Sequence, residues 1–178
     1  PEARANPRQL LLNPETAQPV MHVATHFSLA PGNDNDSVLV LGNGDGLKLS
    51  EIAANAQLSG YDLITLSACE TALGAGGKSK IKGTAVGAEV EGLGALLQYQ
   101  GAKAVLATLW KVEDTGTAYL MEQFYTMRGE KRKTTKAQAL REAQRALLAG
   151  KVKADDPAKH DLRHPYYWAP FILMGNWL

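Results

Sequence analysis

The chain has 178 residues, enough for one domain with a sizeable core. It is 45% hydrophobic and 21% charged, with a net charge of +1. Those values are ordinary for a globular protein, and no strong field points to nucleic acid or a membrane surface. The single cysteine, Cys69, cannot form an internal disulfide and suits a reducing, cytoplasmic compartment. There is no signal-peptide pattern and no apolar run near the roughly 18 residues that a membrane span needs.

Residues 1–19 carry Pro1, Pro7, Pro14 and Pro19 and little periodicity, and read as a linker or lead-in. The absence of an initiator Met fits a piece of a longer polypeptide. Val20 to His26 reads as a strand. Val38-Leu39-Val40-Leu41 and Leu47-Lys48-Leu49 flank Asn43-Gly44 and Asp45-Gly46, which supply the positive φ angles of a hairpin turn. Ser50 is expected to cap a short helix, Glu51 to Ala56. Tyr61 to Ser67 is a buried strand, followed by a glycine-rich loop over 74–83. Val86, Val90, Leu93 and Leu97 recur at helical spacing, and Gly101 ends that helix. Ala104 to Leu109 is another buried strand. Thr117 to Met127 is a helix offering Met121, Phe124 and Tyr125 to the core.

The basic run from Arg128 to Lys136 reads as a solvated loop. Thr135 and Gln138 form a capping box for the helix Lys136 to Ala149, closed by Gly150. Residues 151–165 read as a polar loop, and Phe171 to Met174 as a last strand. Strands alternating with helices predict an α/β fold: a mostly parallel sheet with helices on both faces.

The strand Leu63-Ile64-Thr65-Leu66-Ser67 runs directly into Ala68-Cys69-Glu70. The strand Val20 to Val23 runs likewise toward Thr25-His26. In an open parallel sheet, sites form at the carboxyl ends of the strands. A thiolate is a strong nucleophile, but a free cysteine is mostly protonated at neutral pH and needs a base beside it. His26 can be that base. A lone cysteine on an apolar strand is also, very commonly, a small buried hydrophobe, and a strand-end histidine a polar cap of the sheet. The pairs His22/His26 and His160/His164 repeat a four-residue spacing that could hold a metal, but no convincing third ligand or supporting shell accompanies them. No cofactor is expected. Ala72 to Ser79 nearly fits a phosphate-binding loop, yet Ala72 replaces its first glycine and no clean helix follows Lys78 at once.

His22-Val23-Ala24-Thr25-His26, Leu66-Ser67-Ala68-Cys69-Glu70-Thr71, the run Gly101 to Trp110 and the closing run His164 to Phe171 together resemble the CHAT peptidases. These are caspase-like cysteine peptidases, found in prokaryotes and some eukaryotes. They are related to separase and commonly follow tetratricopeptide repeats. The resemblance covers residues 20–178 and implies a caspase-type α/β fold with a His26–Cys69 dyad. It also implies an oxyanion hole from the backbone N–H groups of Phe27 and Cys69. Phe27 stands where the family often has Gly, and its side chain is expected to narrow the cleft.

The family's additional strand and helix before the histidine strand are largely missing, which predicts an exposed sheet edge. By similarity to separase, the segment Leu109 to Thr115 is implied to recognise a basic substrate residue. Asp114 is the first candidate, Glu113 the reserve and Trp110 a neighbour. Asp114 is equally well placed as a helix cap. Glu70 either favours basic substrates or is a solvent-facing loop acid. The implied activity is a cysteine endopeptidase acting on a protein or peptide, with an upstream repeat or regulatory domain as a further partner. The same fold without catalysis, as an interaction module, is the rival reading.

Overall fold

In a computed structural model, the described residues are 8, 12, 19–28, 37–41, 44–67, 86–110, 112–130, 134–156 and 159–178. Within these, the elements are β1 (Val20–Val23), β2 (Phe27–Ser28), β3 (Val38–Val40), β4 (Gly46–Lys48), α1 (Leu49–Asn55) and β5 (Leu63–Leu66). They continue with α2 (Val86–Tyr99), β6 (Ala104–Thr108), α3 (Asp114–Glu130), α4 (Lys136–Leu148), α5 (Pro165–Trp168) and β7 (Phe171–Gly175).

The main sheet has the order β1-β5-β6-β7. The first two pairings are parallel and the last, β6 with β7, is antiparallel. The expected mixed α/β architecture with a mostly parallel sheet is therefore what forms. Period-2 alternation of an almost wholly apolar run serves both faces at once. On one face, Met21, Ile64, Leu66, Val105 and Ala107 pack with Leu93 and Leu97 of α2, Ile52 of α1, and the smaller sheet through Phe27, Leu39 and Leu47. On the other, Leu63, Ala104, Leu106 and Phe171 meet Leu120, Met121 and Phe124 of α3 and Ala139, Leu140, Ala143 and Leu147 of α4. Each fully buried Leu, Ile or Phe contributes about 1.5–3 kcal/mol relative to exposure. Among the described residues β1 pairs only with β5, so the histidine strand lies at the sheet edge.

The smaller sheet is antiparallel, in the order β2-β3-β4. It explains one departure from the sequence reading. The strand expected to run to His26 stops at Val23, because Thr25 Oγ1 donates to Val40 O and Val40 N donates to His26 O at 2.8 Å. Those bonds turn the chain out of the main sheet and into the second one.

Other boundaries also move. Ser50 lies inside α1, and its N-cap is Lys48, whose N–H donates to the Glu51 carboxylate at 3.1 Å. Helix α3 starts at Asp114 rather than Thr117. The expected capping box of α4 is present: Gln138 N donates to Thr135 Oγ1 at 3.1 Å, and Thr135 N to Gln138 Oε1 at 3.2 Å. Gly101 follows α2 with φ +108°, and a Cβ there would meet the Ser59 backbone at 2.9 Å, so glycine is required. In the lead-in, Arg8 pairs with Glu51 and Leu12 packs on the core. Lys136, expected in a solvated loop, is buried and pairs with Asp62 at 3.1 Å. The glycine-rich loop over 74–83 lies outside the described residues, as does the near-match to a phosphate loop.

Candidate active site

The carboxyl ends of β1, β5 and β6 open on one cleft. A cavity of about 400 Å³ there is lined by His22, Thr25, His26, Ser67, Thr108 and Asp114, with Ala24, Val112, Thr117, Ala118 and Met121 as the remainder of its wall. That size is in the range of small-ligand sites. The sheet register explains the convergence. Val23 pairs with Leu66, and Ser67 N donates to Val23 O at 3.0 Å, so the ends of β1 and β5 are level. Strand β6 is hydrogen-bonded to β5 on its other side and leads into the segment before α3. His22 and Ser67, 45 positions apart in sequence, need this register to share a wall.

His26 lines the cleft from the turn between β1 and β2. Its backbone is fixed by the bond to Val40, which makes His26–Val40 a hydrogen-bonded pair of the antiparallel ladder. Such pairs alternate with non-bonded ones. Phe27–Leu39 is the next pair, so the Phe27 N–H is directed away from β3. The Phe27 side chain is only 1% exposed and belongs to the core. It is not part of the cleft wall, so the narrowing expected from its bulk does not occur. Cys69 and Glu70 lie outside the described residues; β5 ends at Leu66, and Ser67, two positions before Cys69, is the last described residue ahead of them.

The second histidine has different surroundings. His22 Nε2 lies 2.7 Å from Ser67 Oγ, and its ring is 5.8 Å from that of Tyr125, centroid to centroid. Tyr125 Oη in turn is 2.9 Å from Thr65 Oγ1. Partial desolvation there lowers the pKa of His22 below its ordinary 6.5, which favours the neutral ring.

Asp114 sits in the first turn of α3 and lines the cleft, as a substrate-recognising acid would. A carboxylate there also complements the helix dipole. Glu113 does not line the cleft; its carboxylate is held by His160, Nδ1 to Oε2 3.0 Å. Trp110 is likewise engaged elsewhere, donating from Nε1 to Tyr166 O at 3.1 Å. The histidine pairs are thus spoken for separately: His22 with Ser67, His160 with Glu113, and His164 as the N-cap of α5, accepting from Tyr166 N. Among the described residues no cluster of three His, Cys, Asp or Glu could hold a metal ion. The Ser67–His22 contact was not readable from the sequence, because it depends on the register of β1 against β5.

The sheet presents histidine, hydroxyl and carboxylate groups at the carboxyl edge of its parallel strands, an arrangement consistent with a caspase-like fold. The family model described as "CHAT domain" matches residues 2–176, and the chain belongs to that family. No curated protein matches it. No helix among the described residues is long and apolar enough to cross a membrane.

Proposed function

We propose that the chain is a cysteine endopeptidase that uses His26 and Cys69 as its dyad and prefers a basic residue before the scissile bond. The observation that supports this reading most is that His26, Asp114 and Ser67, the last described residue before Cys69, line one cleft. In this mechanism His26 takes the thiol proton of Cys69, and the thiolate attacks the scissile carbonyl carbon. The carbonyl oxygen gains negative charge as the tetrahedral intermediate forms. The N–H groups of Phe27 and Cys69 donate to it, and preorganised donors act where that charge develops. His26 then returns the proton to the leaving amine, leaving a thioester. Water, deprotonated by His26, hydrolyses the thioester and frees the thiol.

Asp114 accepts the charged side chain of the substrate residue, and Glu70, next to Cys69 in sequence, adds to the preference for a basic residue. An Arg guanidinium on a carboxylate forms a charge-assisted, bidentate pair. The substrate is a protein or peptide.

The test is cleavage of a peptide library by the wild-type protein and by Cys69→Ala. The expected result is cleavage after Arg or Lys by the wild type only. Cleavage that persists in a clean Cys69→Ala preparation would refute the dyad; an inactive wild type whose thiol is inert to alkylation would leave the fold as an interaction module.

A further inference from the structure

The reading above gives Asp114 a task, and the task needs the carboxylate held in place. The residues around it are held from outside the cleft by a single stretch of chain. Trp110 Nε1 donates to Tyr166 O at 3.1 Å. Glu113 Oε2 meets His160 Nδ1 at 3.0 Å. Gly116 faces the ring of Tyr167 so closely that a Cβ there would lie 2.4 Å from Tyr167 Cδ1. These contacts fall before, beside and after Asp114. All three partners come from residues 160–168, and none of those residues lines the cleft.

That stretch is itself anchored. His160 Nδ1 is 3.4 Å from Tyr167 Oη, with the two rings edge to face. Trp168 Nε1 donates to Arg163 O at 3.0 Å. Gln144 of α4 donates from Nε2 to both Trp168 O and Phe171 O at 3.1 Å. Tyr167 is buried in the core that α3 and α4 share. A continuous set of contacts therefore runs from α4 through residues 160–168 to the first turn of α3.

From this geometry we propose that residues 160–168 form a strap that positions Asp114, with His160 as the positioning residue that sets the specificity of the cleft. The proposal rests on the reading of Asp114 as the acid that recognises a basic substrate residue. His160 touches neither the substrate nor the dyad in this scheme; it acts through Glu113. The His160–Glu113 pair is partly exposed, with Glu113 54% accessible, and such pairs contribute little to stability. Its contribution is geometric, and displacement of a substrate-holding group by even about 1 Å can cost orders of magnitude in rate.

The experiment compares wild type, His160→Ala, His160→Gln, Gly116→Ala and Asp114→Ala in the full chain. Three quantities are read: kcat and KM on matched peptides with Arg or Leu before the scissile bond, the rate of thiol alkylation, and amide hydrogen exchange over residues 112–117. Thr117 N, which donates to Glu113 O at 3.1 Å, reports the first turn of α3 directly. His160→Ala is expected to raise KM for the Arg peptide and lower the Arg-to-Leu ratio roughly tenfold, with kcat on the Leu peptide and alkylation unchanged, and to speed exchange over 112–117. His160→Gln keeps a donor toward Glu113 and should restore most of the ratio. Gly116→Ala displaces the Tyr167 ring and should lower the ratio through the other contact, which keeps the idea testable should His160→Ala fold poorly.

If Asp114→Ala collapses the ratio while His160→Ala and Gly116→Ala leave it and the exchange unchanged, the strap is refuted and the specificity reading stands. If Asp114→Ala leaves the ratio unchanged, the specificity reading itself fails, and the strap loses its purpose with it.

Discussion

His22 and His26 are four residues apart, yet the fold gives them different surroundings and hence different chemistry. Both line the cleft, but Val40 N holds His26 by its backbone carbonyl, whereas the His22 ring has Ser67 at 2.7 Å and Tyr125 beside it. His26→Ala is therefore expected to slow alkylation of Cys69 near neutral pH and to abolish turnover. Equal loss from a folded His22 variant would mean that the base has been assigned to the wrong histidine. His22 carries its own pH signature. Its folded-state pKa is lowered by desolvation, so the unfolded chain binds that proton more readily. Stability is then lost as pH falls below the ordinary value of 6.5 and is unaffected well above it. His22→Gln keeps a polar group beside Ser67 but removes the titration. Its melting temperature should rise relative to wild type between about pH 8 and about pH 5, and a difference independent of pH would contradict the assignment. At this scale the place of His26 on the cleft was legible in the sequence, since it follows an apolar strand. The His22–Ser67 and His160–Glu113 contacts were not, since both join segments far apart in sequence.

Among the elements, α3 shows most clearly where sequence patterning stops. Its apolar positions suggest a start at Thr117, but the helix begins at Asp114 and runs through Gly116. Glycine is a poor helix former; here it is needed because the Tyr167 ring occupies the space of a side chain. Likewise α5, with Pro165 in its first turn and His164 as its cap, has only four residues, too few for a hydrophobic period to register. The long periodic elements α2 and α4 and the buried strands β5 and β6 were readable because apolar spacing specifies them directly. The early start of α3 sharpens a prediction. As a first-turn acid, Asp114 gains about 0.3–1 kcal/mol from the helix dipole, so Asp114→Ala should lower the melting temperature slightly. As a substrate-recognising acid, it should lower cleavage after Arg far more, with thiol alkylation preserved. Melting temperature and the Arg-to-Leu cleavage ratio measured on this one variant separate the two roles. A wild-type preference for Leu or Asp would leave Asp114 with the helical role alone.

Across the whole molecule, the cleft at the carboxyl edge of the sheet is matched by a polar tie at the opposite edge. Lys136 begins α4, where the helix dipole disfavours a cation, and its side chain is 2% accessible. The capping box places Lys136 at the helix start, but a run of basic residues gives no sign of its burial, which is why it was expected in solvent. The tertiary structure supplies the compensation. Lys136 Nζ meets Asp62 Oδ2 at 3.1 Å, just before β5, and donates to Leu178 O. Ala137 N donates to Trp177 O at 3.1 Å, and Asp62 N to Pro19 O at 2.7 Å, just before β1. The cation thus joins α4 to Asp62 and Leu178, and backbone bonds tie Pro19 and Trp177 in beside it. Lys136→Met keeps much of the side-chain volume but removes the charge, leaving Leu178 O without this donor and Asp62, among the described residues, with Arg128 at 3.6 Å. A fully buried polar group stripped of its partner costs about 1–3 kcal/mol, and Asp62, 32% accessible, should cost less than that because water reaches it. The cost of burying the cation is recovered at the same time, and replacing a whole buried ion pair by apolar groups is often neutral. Here the acid stays behind in a partly accessible site, so a small fall in melting temperature is expected. Because the tie lies at the far end of the strands from the cleft, alkylation of Cys69 should proceed at the wild-type rate in the folded variant. The double variant Lys136→Met/Asp62→Leu removes both partners and should recover part of the loss. A single variant as stable as wild type would show that the tie contributes nothing net, and slowed alkylation in a fully folded variant would show that the two edges of the sheet are coupled.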